Sequence, residues 1–114
     1  ADSMIDKKNG SIIQLASIYG FVGQDLNLYK NLKVRENMSY SIIKGGLINL
    51  TRQMASYYGQ YNIRVNSISP GAIKSNNSKD LTNNSVFKSR YLKKTPIKRL
   101  GKPSDISSSV IFLS

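Results

Sequence analysis

The chain has no cysteine, no histidine and no tryptophan, and only 6 acidic residues stand against 17 lysines and arginines in 114 residues. Without thiols it forms neither disulfides nor thiolate metal sites. Without imidazole it lacks the commonest metal ligand and the base of a Ser-His-Asp triad. Metal-centred and triad hydrolysis therefore lose their main residues, and no metal is expected. Long apolar runs are missing too: none approaches the ~20 residues that span a bilayer, and no signal-like apolar segment follows Ala1. The expectation is a protein of the reducing cytoplasm with no membrane partner.

Positive charge dominates, at a formal net +11. Such an excess raises nucleic acid or an anionic surface as a partner. The basic residues are scattered, however, with small groups at Lys93-Lys94 and Lys98-Arg99, and no aromatics alternate with them as stacking platforms. They read as a solvated surface with no nucleic-acid partner, and Arg52, Arg64 and Arg90 are assigned to it. A basic binding module is the competing reading, which a steep salt dependence of DNA binding would reveal.

What is present is 39% hydrophobic residues under regular punctuation, the mark of a globular chain. A helical segment occupies Ala1 to Lys8, and another is in progress at Val110 to Ser114 with no cap after it, so residues 1–114 are expected to be a segment of one larger domain. Gly10 to Ser17 is a short apolar run launched by glycine, a buried parallel strand. Ile18 to Ser39 has no sustained period and reads as a long loop or short irregular helix, the kind of segment that tends to be functional.

From Tyr40 to Tyr58, apolar residues at Ile43, Leu47, Leu50, Met54 and Tyr57 or Tyr58 recur at helical spacing, with Ser39 as N-cap and Gly59 just past the end. Ile63 to Ser69 is a second strand, ended by Pro70-Gly71. Ser75 to Asn84 is a polar loop, and Val86 to Lys94 a short basic helix stopped before Pro96. Ser104 caps a last helix with Asp105 in its first turn and a stripe of Ile106, Val110 and Leu113. Strand, long helix, strand implies an α/β fold with a right-handed parallel unit.

The chemistry gathers at Tyr40 and Lys44, a phenol and an ammonium on one helix face. A phenol with a pKa near 10 is almost fully protonated at neutral pH. An ammonium about 4 Å away, at an effective dielectric near 20, contributes about 4 kcal/mol toward its anion, enough to make such a group a working acid and base. The same spacing recurs at Tyr29 and Lys33. Tyr40 is favoured because it opens the long amphipathic helix and lies 30 residues before Pro70, whereas Tyr29 leads into Val34 to Asn37, which cannot form a buried crossover.

Ala16-Ser17 at a strand end, Tyr40-x-x-x-Lys44 on a helix and Asn66-x-x-x-Pro70-Gly71 after a second strand resemble the short-chain dehydrogenase/reductase family. The stretch from Pro96 to Ile106 is similar to that family's segment after its substrate loop. The likeness runs from about Gly10 to Ser114 and rests on the motifs occurring together in this order. It implies the C-terminal portion of a Rossmann-like, doubly wound parallel sheet. The glycine-rich phosphate turn, the residue that selects the cofactor, the Asn-Asn-Ala-Gly segment and a catalytic asparagine would then lie upstream of Ala1, and the last strand beyond Ser114.

The cofactor implied is NAD or NADP, undistinguished here, and the segment by itself is expected neither to bind it nor to turn over. By the resemblance, Tyr40 moves the hydroxyl proton, Lys44 tunes it and holds the nicotinamide ribose, and Ser17 hydrogen-bonds the reacting oxygen. Pro70 and Gly71 let the backbone approach the cofactor, the Ile73 main chain meets the carboxamide, and Ser75 stands where the family usually has threonine.

The interval between Ser17 and Tyr40, with Ser17 to Gly20 and Tyr29 to Asn31, is similar to a subgroup of flagellin-modification or nonulosonic (legionaminic-type) acid oxidoreductases, implying an amino-sugar or nucleotide-sugar substrate. The alternatives are a 3-oxoacyl-acyl-carrier reductase and a non-catalytic scaffold of the same family. A homodimer or homotetramer through the Tyr40 to Tyr58 helix, eased by Gly45-Gly46, is also implied.

Overall fold

Two short apolar strands pair in parallel and set the frame of the computed structural model, which describes residues 1–34, 37–77 and 79–114. Strand β1 is Gly10–Leu15 and β2 is Ile63–Ile68, in register from Gly10 opposite Ile63 to Leu15 opposite Ile68. Helix α1 (Asp2–Lys7) leads into β1 through Lys8 in the left-handed conformation. Helix α2 (Met38–Tyr58) crosses back between the strands, and α3 (Ser85–Lys94) and α4 (Pro103–Leu113) follow β2. This is the α/β arrangement with a parallel sheet that the strand and helix pattern implied. Arg35 and Glu36, part of the stretch judged unable to cross over, and Ser78 of the polar loop lie outside the described residues.

Ile63, Val65, Ala16 and Ile48 are buried where α2 lies on the two strands. Fully burying a valine or isoleucine side chain contributes about 1.5–3 kcal/mol. Thr51, polar and buried in the same layer, donates its hydroxyl to the Leu47 carbonyl at 2.8 Å, so it leaves no donor stranded. Leu28, Phe87 and Leu100, outside the two strands, are buried as well.

The buried stripe of α2 is turned from the one expected. Leu47, Ile48, Thr51, Met54, Ala55 and Tyr58 are buried or half-buried, whereas Ile43, Leu50 and Tyr57 are exposed. Helix α2 has apolar residues on two faces, and periodicity cannot say which one meets the sheet.

Three caps also differ. Asn37, not Ser39, caps α2, its side-chain oxygen accepting from the Tyr40 amide at 3.1 Å. Gly59 keeps helical dihedrals and continues into a 3-10 turn, so the left-handed residue is Asn62, at φ 57. Helix α4 starts at Pro103, whose missing N–H suits a first turn, and the Lys102 amide donates to Asp105 at 2.8 Å in place of a Ser104 cap. The same carboxylate takes the Arg99 guanidinium at 2.6 Å, which holds Asp105 below the usual carboxylate range.

Candidate active site

Parallel pairing runs past the strand ends. The Ala16 amide donates to Ile68 at 2.8 Å and the Ile18 amide to Pro70 at 3.1 Å, which lays Ser17 alongside the Pro70-Gly71 turn. Ser17 is buried, and its hydroxyl oxygen accepts from the Tyr19 amide at 3.2 Å, capping a 3-10 turn at Ile18–Gly20. Gly20 brings that turn flush against α2. A Cβ there would stand 2.8 Å from the Lys44 carbonyl oxygen and 2.5 Å from Ile48 Cδ1. The serine is thereby fixed relative to the first turns of α2 by backbone contact.

Tyr40 lies in the first turn of α2 and is part-exposed. The Lys44 ammonium stands over its ring, 5.6 Å from the centroid, and donates to the Leu15 carbonyl at the end of β1 at 2.8 Å. An ammonium has three donors. One ties Lys44 to the end of β1, and the described residues engage neither of the other two.

Ser17, Tyr40, Pro70 and Gly71 line one cavity of about 400 Å³, within the ordinary range for small-molecule sites. Its walls also include the polar Tyr19, Tyr29, Gln24 and Asn37, the apolar Ile18, Val34 and Ala72 and, from the segment after β2, Leu81, Phe87 and Tyr91; no charged side chain is among the described lining residues. For a chain of net charge +11 that is a selective neutrality.

Lys44, Ile73 and Ser75 are outside the lining. Ile73 bridges Gly101 in parallel, through the Gly101 amide to the Ala72 carbonyl at 2.9 Å and the Lys74 amide to the Gly101 carbonyl at 2.8 Å. In such a bridge the central residue's own N–H and C=O point the other way. Ile73 therefore turns a donor and an acceptor away from Gly101, the complement of a primary amide. The Ser75 hydroxyl accepts from the Asn77 amide at 3.1 Å, which organises its own loop.

Tyr29 and Tyr40, the two tyrosines with a lysine four residues on, both reach this cavity, but their surroundings differ. Tyr40 has its lysine over the ring. Tyr29 hydrogen-bonds Tyr19, hydroxyl to hydroxyl, at 2.9 Å, and Lys33 lines a neighbouring depression instead. Three residues here escaped sequence reasoning. The Tyr91 hydroxyl accepts from the Ala72 amide at 2.9 Å and takes the space where a Gly71 Cβ would be, 2.5 Å from it. Phe87 stacks on Tyr91 at 5.7 Å. Their four-residue separation on a helix was the available signal. Arg90, assigned to the solvated surface, donates to the Lys30 carbonyl at 2.6 Å and the Leu28 carbonyl at 3.4 Å. Arg64 likewise holds the Leu113 carbonyl at the end of α4, at 2.8 Å.

Tyr91→Phe keeps the ring stack and strands the Ala72 amide. The expected result is a loss of about 1–2 kcal/mol in the denaturant midpoint analysis, the usual cost of an unpaired part-buried donor, with a looser turn at Pro70–Ile73. An unchanged midpoint would show that the bond is unimportant.

A family model described as enoyl-(acyl carrier protein) reductase matches residues 1–114. The 3-oxoacyl-[acyl-carrier-protein] reductase FabG of Buchnera aphidicola subsp. Schizaphis graminum is 38% identical over 113 residues, which are 98% of this chain and 41% of that protein. A short-chain dehydrogenase from Leptospira borgpetersenii, solved with bound NAD+, aligns at TM-score 0.80 and 36% identity over 98% of this chain and 40% of its own. A gluconate 5-dehydrogenase from Burkholderia cenocepacia, in complex with NADP and tartrate, aligns at TM-score 0.80 and 25% identity over 99% and 40%. The chain thus spans about two-fifths of the length of the relatives it matches. Among the described residues, no helix is long and apolar enough to cross a membrane.

Proposed function

The chain belongs to the short-chain dehydrogenase/reductase family, and on that premise we propose that residues 1–114 are the C-terminal segment of a Rossmann-fold oxidoreductase using NAD or NADP. Its substrate is a small carbonyl compound or alcohol. The observation that carries this reading is that Ser17 and Tyr40, from different elements, line one uncharged cavity beside the Lys44 ammonium.

The residues present fit a nicotinamide. The N–H and C=O that Ile73 turns away from Gly101 complement the donor and acceptor of its carboxamide, and the Lys44 donors not used at Leu15 suit a ribose diol. When bound, the cofactor supplies or accepts the hydride. This chain's own residues do the rest. Ser17 already accepts the Tyr19 amide on its oxygen, so its O–H is available to donate to the reacting oxygen. Tyr40, in the first turn of α2 that Asn37 caps, exchanges the proton of that oxygen. The absence of charge from the described lining favours a neutral reacting group.

For the substrate, we read an amino-sugar or nucleotide-sugar, supported by the polar lining that the segment between Ser17 and Tyr40 contributes through Tyr19, Gln24, Tyr29 and Asn37. A second reading, a 3-oxoacyl-acyl-carrier reductase, is favoured by the 38% identity to FabG. The exposed row of Ile43, Leu50 and Tyr57 on α2, spaced seven apart, supports self-association through that helix. Sedimentation of the full-length protein as a monomer would refute that association.

The test of function is NAD(P)H oxidation by the full-length protein with keto-sugar nucleotides and with an acetoacetyl thioester. Turnover of the first set at the higher kcat/KM is expected. Turnover of neither, nor of any simple ketone, would sink the oxidoreductase reading.

A further inference from the structure

Two phenols that hydride transfer does not use stand in the wall of the same cavity. Tyr19 belongs to the 3-10 turn Ile18–Gly20, and Tyr29 follows the 3-10 turn Leu26–Leu28. Their hydroxyl oxygens are 2.9 Å apart, and either can be the donor. Two hydroxyls carry two protons, and the bond between them uses one. Among the described residues neither hydroxyl has a further partner, so one O–H remains uncommitted, and both residues line the cavity with Ser17 and Tyr40.

Helix α3 braces Tyr29, and Tyr29 in turn holds the Tyr19 hydroxyl. Arg90 donates to the carbonyls of Leu28 and Lys30, the residues on either side of Tyr29. The Tyr29 ring packs at 5.6 Å on Phe87, which stacks on Tyr91, itself bonded to the Ala72 amide. Lys94 pairs with Asp25, the cap of the turn before Tyr29. Burial and the Tyr29 hydroxyl hold the Tyr19 phenol well above the ordinary tyrosine range, so at neutral pH it remains a neutral donor. A phenol braced in this way, with a second one bonded to it, is what a selective contact needs.

We propose that the Tyr19–Tyr29 pair determines specificity by donating a hydrogen bond to a second substrate oxygen, away from the reacting carbon, so that the site selects polyoxygenated molecules over those with a bare hydrocarbon frame. The proposal rests on reading this cavity as the substrate site. A site built to bond an oxygen discriminates against the analogue lacking it, because its own polar group is then left unpaired. Here both phenols are part-exposed, which sets the scale at one ordinary hydrogen bond, about 3- to 10-fold in affinity.

The test is ligand-observed NMR on the full-length protein, with NAD+ and NADP+ each present, comparing cyclohexanol with the 1,2-, 1,3- and 1,4-cyclohexanediols. At least one diol should bind about 3- to 10-fold tighter than the mono-alcohol. The Tyr19→Phe/Tyr29→Phe double variant should bring that ratio to about one. Arg90→Gln, which keeps both phenols but frees the carbonyls flanking Tyr29, should at least halve the preference.

Equal affinity for the alcohol and every diol in the wild type overturns the proposal, as does a preference that survives in the double variant or stands undiminished in Arg90→Gln. Turnover is read separately with hydroxylated ketones and NAD(P)H. A diol preference without turnover upholds the contact and sinks the redox reading. Turnover without a diol preference does the reverse.

Discussion

Tyr40→Phe is expected to lower kcat/KM of the full-length enzyme by about 10²- to 10⁴-fold, the range seen when a positioned general acid or base is removed. The loss should fall mainly in kcat, because the proton transfer is made only in the transition state. Tyr29→Phe is the internal comparison: it has the same spacing to a lysine and lines the same cavity, yet its hydroxyl is engaged with Tyr19. Its expected cost is that of one substrate hydrogen bond, about 3- to 10-fold. If the two variants lost activity equally, or if Tyr40→Phe stayed within a few-fold of wild type, the assignment of Tyr40 as the proton-transfer residue would be wrong.

Gly20→Ala should have the largest effect of any substitution that touches no reacting group. The new Cβ would stand 2.8 Å from the Lys44 carbonyl oxygen and 2.9 Å from its carbon, in addition to the Ile48 contact. Ile48 can rotate away, but the backbone of α2 cannot. Relief therefore means moving the Ile18–Gly20 turn off the helix, and Ser17 and Tyr19 move with it. Overpacking of this kind costs about 1–3 kcal/mol.

Because the displaced turn carries Ser17 while the helix carries Tyr40 and Lys44, activity should fall further than stability alone explains. Misplacement by about 1 Å can cost about 100-fold. Gly23→Ala is the control, since nothing lies within 4 Å of its Cβ and no glycine has positive φ. A Gly20→Ala variant with wild-type denaturation midpoint and wild-type kcat would show that the close approach at Lys44 is not required.

The elements most legible in the sequence were those whose signal is local. The apolar runs at Gly10 and Ile63, the long amphipathic stretch ending at Tyr58, and the break at Pro70-Gly71 each report a backbone preference that neighbours within a few residues settle. Caps were less legible because several residues compete. Ser39 and Asn37 are both good caps, and Ser104 lost to Pro103 and Asp105 because a proline at the first helical position has no amide to satisfy.

The candidate site divided the same way. Ser17, Tyr40, Pro70 and Gly71 were readable as a pattern, and the structure brings them to one cavity. The aromatic wall was not readable. Phe87 and Tyr91 sit in a helix that looked merely basic, and Phe87 meets Tyr29 only because α3 packs on residues 28–30.

The amino-acid sequence by itself determined which side-chain chemistries residues 1–114 can supply and where helices and strands form along them. Residue types that are absent cannot react, and short-range periodicity fixes helix and strand. Only the tertiary structure decided which face of α2 meets the sheet, that Gly20 must be bare, and that the Tyr19 and Tyr29 hydroxyls hydrogen-bond each other in the cavity wall. The physical reason is that each of these depends on the distance between groups remote in the chain. Hydrogen bonds and steric contacts act over a few ångströms of space, whatever the number of residues between the partners.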